Sequence, residues 1–200
     1  MILKSLITLS LGTFALGMAE FSMMGILPDV ATALNISIAQ AGHFIAAYAI
    51  GVCCGAWLLV LSYRLPPKTV LLTLAGIIAL GNMLAAISTG YTTLLIARFI
   101  SGLPHGAYFG IGSIVATKLA TPGRSAQAVA MMIAGMTVAN LCGVPIATWL
   151  SLHLSWRLVF CLVSIVAIVL IFSLKRYIPD IERLPNNGIL GQFRFLKSAA

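Results

Sequence analysis

The stretch Ser5-Leu-Ile-Thr-Leu-Ser-Leu-Gly-Thr-Phe-Ala-Leu-Gly-Met-Ala-Glu20-Phe-Ser-Met-Met-Gly-Ile-Leu27 decides the fold class. As a helix rising about 1.5 Å per residue it crosses the roughly 30 Å hydrocarbon layer of a bilayer, and its one ionisable side chain is Glu20. Lys4 precedes the run, as in a secretory signal peptide. However, the run is longer than the usual apolar segment of about 7–15 residues, contains a carboxyl group and lacks a small-residue cleavage site. It reads as a retained first transmembrane helix.

Working outward, similar windows recur near residues 40–62, 69–89, 92–116, 126–150 and 156–178, so the chain is an all-α membrane protein, a bundle of six transmembrane helices. Composition agrees: 60% of residues are hydrophobic, 8% are charged and the mean hydropathy is +1.07, far from the roughly 25% charge of soluble domains. The six-helix bundle is assigned to residues 1–178. Residues 179–200 form a cytoplasmic linker ending in an amphipathic stretch that suits either a segment on the membrane surface or a disordered tail.

The net charge of +8 raises nucleic-acid binding, but the basic residues are sorted by loop. Lys4, Arg64, Lys68, Lys118, Arg124, Lys175, Arg176, Arg183, Arg194 and Lys197 precede helix 1, occupy alternate loops or follow helix 6. The intervening connections, residues 28–39, 90–91 and 151–155, carry no Lys or Arg. The positive-inside rule then places both termini in the cytoplasm and excludes a nucleic-acid partner. Cys53, Cys54, Cys142 and Cys161 fall inside spans and read as small packing residues, not as a disulfide or metal framework; no metal and no cofactor is expected.

Polar residues at membrane depth are tolerated mainly where they face protein or a water-filled cavity. Helices 3 and 6, in which Asn82 is the one mid-span amide, are therefore predicted to face lipid. Helices 1, 4 and 5, carrying Glu20, Arg98 with His105, and Thr137 with Asn140, are predicted to line the interior. Glu20 and Arg98 both lie roughly 10 Å below the outer boundary, within pairing reach. A carboxyl group that alternates between an unpaired, protonated state and an Arg98-paired, ionised state would load and release a proton. A fixed tie locking two helices is the other reading of the pair. His105 returns to the Arg98 face after about two helical turns, as a proton relay, a substrate ligand or a structural histidine. His43 and His153, near the outer interface, read as structural. Gly102, Gly106 and Gly110 on helix 4, and Ala47, Gly51 and Gly55 on helix 2, form small-residue faces for close helix contact. Pro104, and Gly143 with Pro145, mark bends that would serve as gating points.

Four blocks carry a family resemblance. Gly12-Thr-Phe-Ala-Leu-Gly-Met-Ala-Glu20-Phe with Met24-Gly-Ile-Leu-Pro28 resembles the first helix of the AraJ-type, arabinose-efflux-like permeases of the major facilitator superfamily. Arg98-Phe-Ile-Ser-Gly102-Leu-Pro-His105-Gly106-Ala-Tyr-Phe-Gly110 is similar to their helix 4 motif. Gly135-Met-Thr-Val-Ala-Asn140-Leu-Cys-Gly143-Val-Pro145 resembles the antiporter motif of helix 5, and Ser155-Trp156-Arg157 with Phe160 opens helix 6 as in that family. The chain departs from it between helices 2 and 3, where Tyr63 and Pro66-Pro67-Lys68 replace most of the usual Asp-Arg-x-Gly-Arg-Arg pattern. Ala147 stands where the antiporter motif often ends in glycine.

The resemblance implies the N-terminal half of a twelve-helix permease, built as a 3+3 inverted repeat, in a bacterial inner membrane. It implies proton-coupled efflux of sugars or small amphipathic drugs through a cavity shared with a missing second six-helix half or with a copy of this chain. The proton-coupling candidates are Glu20, Arg98 and His105. Cavity lining is assigned to Thr13, Gly17, Met24, Gly102, Phe109, Thr137 and Asn140, and gating or packing to Gly106, Gly110, Gly143 and Pro145. A non-transporting half-transporter is the alternative. An intramembrane serine protease is remote, because Gly110-Ile-Gly-Ser113-Ile lacks the required order and helix 6 carries no histidine.

Overall fold

The computed structural model describes residues 2–61 and 65–181. The residue 63–64 part of the departing loop motif, and the tail from residue 182, lie outside the described residues. The described chain is helical throughout, with α1 (Ile2–Ala33), α2 (Ile38–Leu61), α3 (Pro67–Ala86), α4 (Tyr91–Gly102), α5 (Pro104–Leu119), α6 (Ser125–Val138), α7 (Val144–His153) and α8 (Trp156–Tyr177). A π-helical turn at Ala139–Gly143 joins α6 to α7. Six crossings result. The fourth is α4 followed by α5, and the fifth is α6, the π turn and α7.

The ends of these elements have local causes. Asn35 adopts a left-handed conformation with φ 53°, which stops α1 as the amides of Leu34 and Ile36 close back onto the Val30 and Ala31 carbonyls. Ser37 and Gln40 then form a reciprocal capping box, the Gln40 amide donating to Ser37 Oγ at 3.1 Å and the Ser37 amide to Gln40 Oε1 at 2.9 Å. Pro104 splits the fourth crossing because it has no N–H to continue the ladder. Leu103 keeps helical angles, φ −51° and ψ −42°, so the chain passes through the break without turning back. In the fifth crossing the wider π turn falls immediately before the Pro145 region.

The first three crossings relate to the last three by exchange. α1 packs on the fifth crossing as α2 packs on the fourth; α1 meets α8 as α3 meets the fourth; and α3 and α8 pack on each other. An odd number of crossings per unit makes the second unit enter the membrane from the opposite side, which is the inverted repeat the family resemblance implied.

Small residues set the closest approaches. A methyl group on Gly51 would overlap the Phe99 carbonyl, and one on Gly55 the Leu103 carbonyl, so α2 lies backbone to backbone against the α4–α5 break. Gly135, Ala139 and Gly143 play the same part against α1, at Ser10, Gly17 and Met18. Gly106 has open space around it and Gly110 meets only Leu59, so the predicted glycine face of helix 4 packs at Gly102 rather than along its length.

α1 is the most buried span, and α2 and the fifth crossing the least. Helix 3 is not uniformly turned to lipid, since Asn82 is fully buried and its amide donates to the Ile78 carbonyl at 2.8 Å. α8 does present an outward apolar stripe of Ile165, Ile168, Val169 and Phe172. Its inner face is tied to α3 where Ser164 Oγ donates to the Ala79 carbonyl at 3.0 Å. Cys53, Cys54 and Cys142, expected to pack between helices, are exposed.

The glycine contacts give a paired prediction. Gly55→Ala is expected to lower stability by about 1–3 kcal/mol, the usual cost of overpacking, whereas Gly106→Ala is expected to be neutral or slightly stabilising. Thermal unfolding of the two variants in detergent checks this, and equal effects would contradict the packing described.

Candidate functional site

Where the first, second and fourth crossings meet, one cluster gathers the polar groups that lie deepest. Arg98 comes from α4 and is wholly buried. Its Nη1 donates to the Ala19 carbonyl of α1 at 2.6 Å and its Nε to the Phe44 carbonyl of α2 at 3.4 Å. The guanidinium carbon lies 4.5 Å from the centre of the Tyr48 ring and 5.8 Å from that of Phe160. Burying an arginine at depth costs roughly 2.5–3.5 kcal/mol on insertion scales. Charge-assisted bonds to carbonyls and a desolvated cation–π contact, each worth about 2 kcal/mol, are of the size that offsets it.

Glu20 and Arg98, placed within pairing reach by the sequence, are not salt-bridged in this structure. The Ala19 and Phe44 carbonyls and two aromatic faces hold the guanidinium, while Arg98 Nη2 and Glu20 Oε2 have no hydrogen-bond partner in the protein. Glu20 is partly exposed and its Oε2 lies 3.7 Å from His105 Nδ1. That same nitrogen lies 3.0 Å from the Tyr48 hydroxyl. His105 stacks on Phe109, with ring centres 5.2 Å apart. Glu20, His105, Tyr48 and Arg98 thus form a ring of neighbours that closes through Ala19, the residue next to Glu20 in the chain.

The other predicted residues divide between exposed surface and helix contacts. Met24 is exposed on α1 one turn beyond Glu20, and Phe109 is half-buried beside His105. Thr137 and Asn140 lie on the exposed side of the fifth crossing, whose buried side meets α1. Thr13, Gly17 and Gly102, expected to line the cavity, are instead buried in helix contacts: Thr13 Oγ1 donates to the Met132 carbonyl at 2.5 Å, Gly17 abuts Ala139, and Gly102 abuts the Tyr48 carbonyl. Gly143 abuts Met18 and Pro145 opens the exposed edge of α7.

Sequence reasoning missed Tyr48, the hub between His105 and Arg98. Its signal was present, a hydroxyl-bearing ring in mid-span next to Ala47 and three residues before Gly51, on the face of helix 2 that packs closest. It also missed two ties near helix ends. Ser151 Oγ donates to the Asp29 carboxylate, and His43 Nδ1 lies 2.6 Å from the Tyr91 hydroxyl. The second of these gives His43 the structural place expected of it.

The sequence profile of the Major Facilitator Superfamily matches residues 9–197. The chain belongs to that superfamily. It is 45% identical over 198 residues to a putative transporter, AraJ, of Escherichia coli K12, covering 98% of this chain and 50% of the relative. It is 43% identical over 176 residues to the inner membrane transport protein YdhP of the same organism, covering 87% of this chain and 45% of the relative. In fold it is similar to the inward-open xylose transporter XylE of E. coli, with a TM-score of 0.75 at 19% identity, over 90% of this chain and 49% of that one. The chain thus spans about half the length of the curated relatives it matches, and aligns with an N-terminal half. These relatives are transporters, not enzymes, and the chain is a multi-pass membrane protein of that family.

The two polar groups of the cluster should respond differently to substitution. Arg98→Lys replaces a planar donor fork by a point charge that cannot span the Ala19 and Phe44 carbonyls, and is expected to cost about 1–3 kcal/mol of stability. Glu20→Gln, at a side chain with no protein hydrogen bond to Oε2, is expected to change it by less than about 1 kcal/mol. Unfolding midpoints in detergent, measured side by side, check the difference.

Proposed function

We propose that this chain is the N-terminal six-helix half of a proton-coupled exporter of sugars or small amphipathic compounds. It would reside in a bacterial inner membrane with both termini cytoplasmic. The observation that carries this reading is the carboxyl group of Glu20, partly exposed in mid-span and not salt-bridged to Arg98. A carboxylate locked to an arginine would stay ionised; one beside a histidine, with access to a cavity, can exchange its proton.

Glu20 is the proton carrier of the cycle. His105 stands next to it as the group that senses or shares that proton. Arg98 holds the three crossings together and supplies a fixed positive charge nearby. Met24, Phe109, Thr137 and Asn140 offer the mixture of apolar and hydrogen-bonding surface that a sugar or an amphipathic drug requires. The substrate would lie between this bundle and a second six-helix half, or a second copy, since one bundle supplies one wall of such a cavity. The breaks at Leu103–Pro104 and at the π turn before Pro145 interrupt the two crossings that flank α1 and α2. They are the gating points of the reading, where a helix can bend with little loss of backbone hydrogen bonding.

The export direction and the sugar or drug class derive from the resemblance of the helix 1, 4 and 5 motifs to arabinose-efflux-like permeases. In vesicles holding the assembled transporter, Glu20→Gln is expected to abolish proton-driven substrate exchange while the protein still inserts and folds. Exchange at the wild-type rate would remove Glu20 from the mechanism.

A further inference from the structure

His105 Nδ1 has two neighbours and one bond to give. It lies 3.0 Å from the Tyr48 hydroxyl on α2 and 3.7 Å from Glu20 Oε2 on α1. The other charged group of the cluster, Arg98 on α4, sits 4.5 Å from the centre of the Tyr48 ring, and Phe109 covers the imidazole from its own helix. If Nδ1 carried a proton, a carboxylate would be the stronger acceptor and would draw that nitrogen to itself, because charge-assisted bonds are shorter and about twice as strong as neutral ones. The geometry is the reverse: the phenol holds the short contact, and Glu20 Oε2 has no hydrogen bond at all. This arrangement fits an imidazole whose Nδ1 is bare and accepts from the phenol, with the proton on Nε2.

We infer that Tyr48 is a positioning residue, whose hydroxyl donates to the bare Nδ1 of His105 and so keeps that lone pair from the Glu20 carboxyl group. While the phenol is in place, a protonated Glu20 finds no acceptor on His105 and keeps its proton for the cavity. When the phenol turns away, the lone pair is released. The Glu20 O–H bond then breaks, an Nδ1–H bond forms, and a carboxylate faces an imidazolium; Tyr48 keeps its own proton throughout. The Tyr48 ring is packed against the Arg98 guanidinium at 4.5 Å and its backbone against Gly102. A shift between α2 and the α4–α5 break would therefore move the hydroxyl, linking helix geometry to the state of the proton site.

This inference rests on the proton-exchange reading of Glu20, and its test is separable from it. The chain, with 15N-labelled histidine and held in lipid nanodiscs, reports the protonation of each ring nitrogen by NMR, with His105→Gln identifying the His105 signals. Wild type and Glu20→Gln are both expected to show a bare, hydrogen-bonded Nδ1. Tyr48→Phe keeps the ring over Arg98 and removes the hydroxyl; its Nδ1 is expected to become protonated, and to return to the bare form when Glu20→Gln is added. A protonated Nδ1 in the wild type, or a Tyr48→Phe spectrum unchanged from it, overturns the inference. Should Tyr48→Phe fail to fold, the wild-type and Glu20→Gln spectra still decide. In the assembled transporter Tyr48→Phe is expected to slow maximal exchange about tenfold, the equivalent of one ordinary hydrogen bond. KM should be unchanged, because the Tyr48 side chain is buried. If the spectra behave as stated but Glu20→Gln still exchanges protons, the positioning role stands and the transport reading fails.

Discussion

A guanidinium that never loses its charge must be satisfied where there is no bulk water, and much of this bundle is arranged around that need. Arg98 reaches two backbone carbonyls on two other helices and lies between two aromatic faces. The Phe44 carbonyl is within reach because Gly51, Gly55 and Gly102 let α2 and the fourth crossing meet along their backbones. Larger residues there would push α2 away and take Phe44 and Tyr48 with it. The small-residue contacts and the buried charge are one constraint seen from two sides: the close approach serves the arginine, and the arginine fastens the approach.

The structural consequence is that Glu20 is not salt-bridged to Arg98. Had Arg98 been satisfied by the carboxylate, the pair would have been a static tie. Because two carbonyls and two rings hold it instead, with Nη2 left unpartnered, the carboxyl group remains beside a histidine and partly exposed. The cluster lies on helices 1, 2 and 4, with a broken crossing next to each of the first two. That is a position from which a change in helix angle reaches the cluster directly.

The six crossings were legible because hydropathy is a bulk property of a window and needs no partner. Predicted windows and observed helices differ at their ends, where Asn35 and the Ser37–Gln40 box act locally, and inside the fourth and fifth crossings, which break at Leu103–Pro104 and at the Ala139–Gly143 π turn. Glu20, Arg98 and His105 were legible as residues, since ionisable groups stand out in lipid-facing sequence. Their pairing was not. Depth along a helix can be counted, but direction around the bundle depends on which helices touch, and the sequence did not disclose that Arg98 meets Ala19 and Phe44 through their main chain. Backbone acceptors carry no residue signature, so a charge-to-charge match was the nearest legible choice. For the same reason Thr13, Gly17 and Gly102 were read as cavity lining; polar or small residues serve equally in a cavity wall and in a tight helix contact, and here the contact prevails. Tyr48 was passed over because aromatic residues in a span are common, and its importance lies in two neighbours contributed by another helix.

Every functional role proposed for the cluster depends on Glu20 gaining and losing a proton while Arg98 is held by the Ala19 and Phe44 carbonyls. Infrared difference spectroscopy of the chain in lipid, recorded across pH, tests it directly. The expected result is a carboxylic-acid C=O band that appears on acidification, disappears on raising the pH, and is missing from Glu20→Gln. A Glu20 that remains a carboxylate at every pH at which the bundle stays folded, as in a permanent ion pair with Arg98, would contradict it.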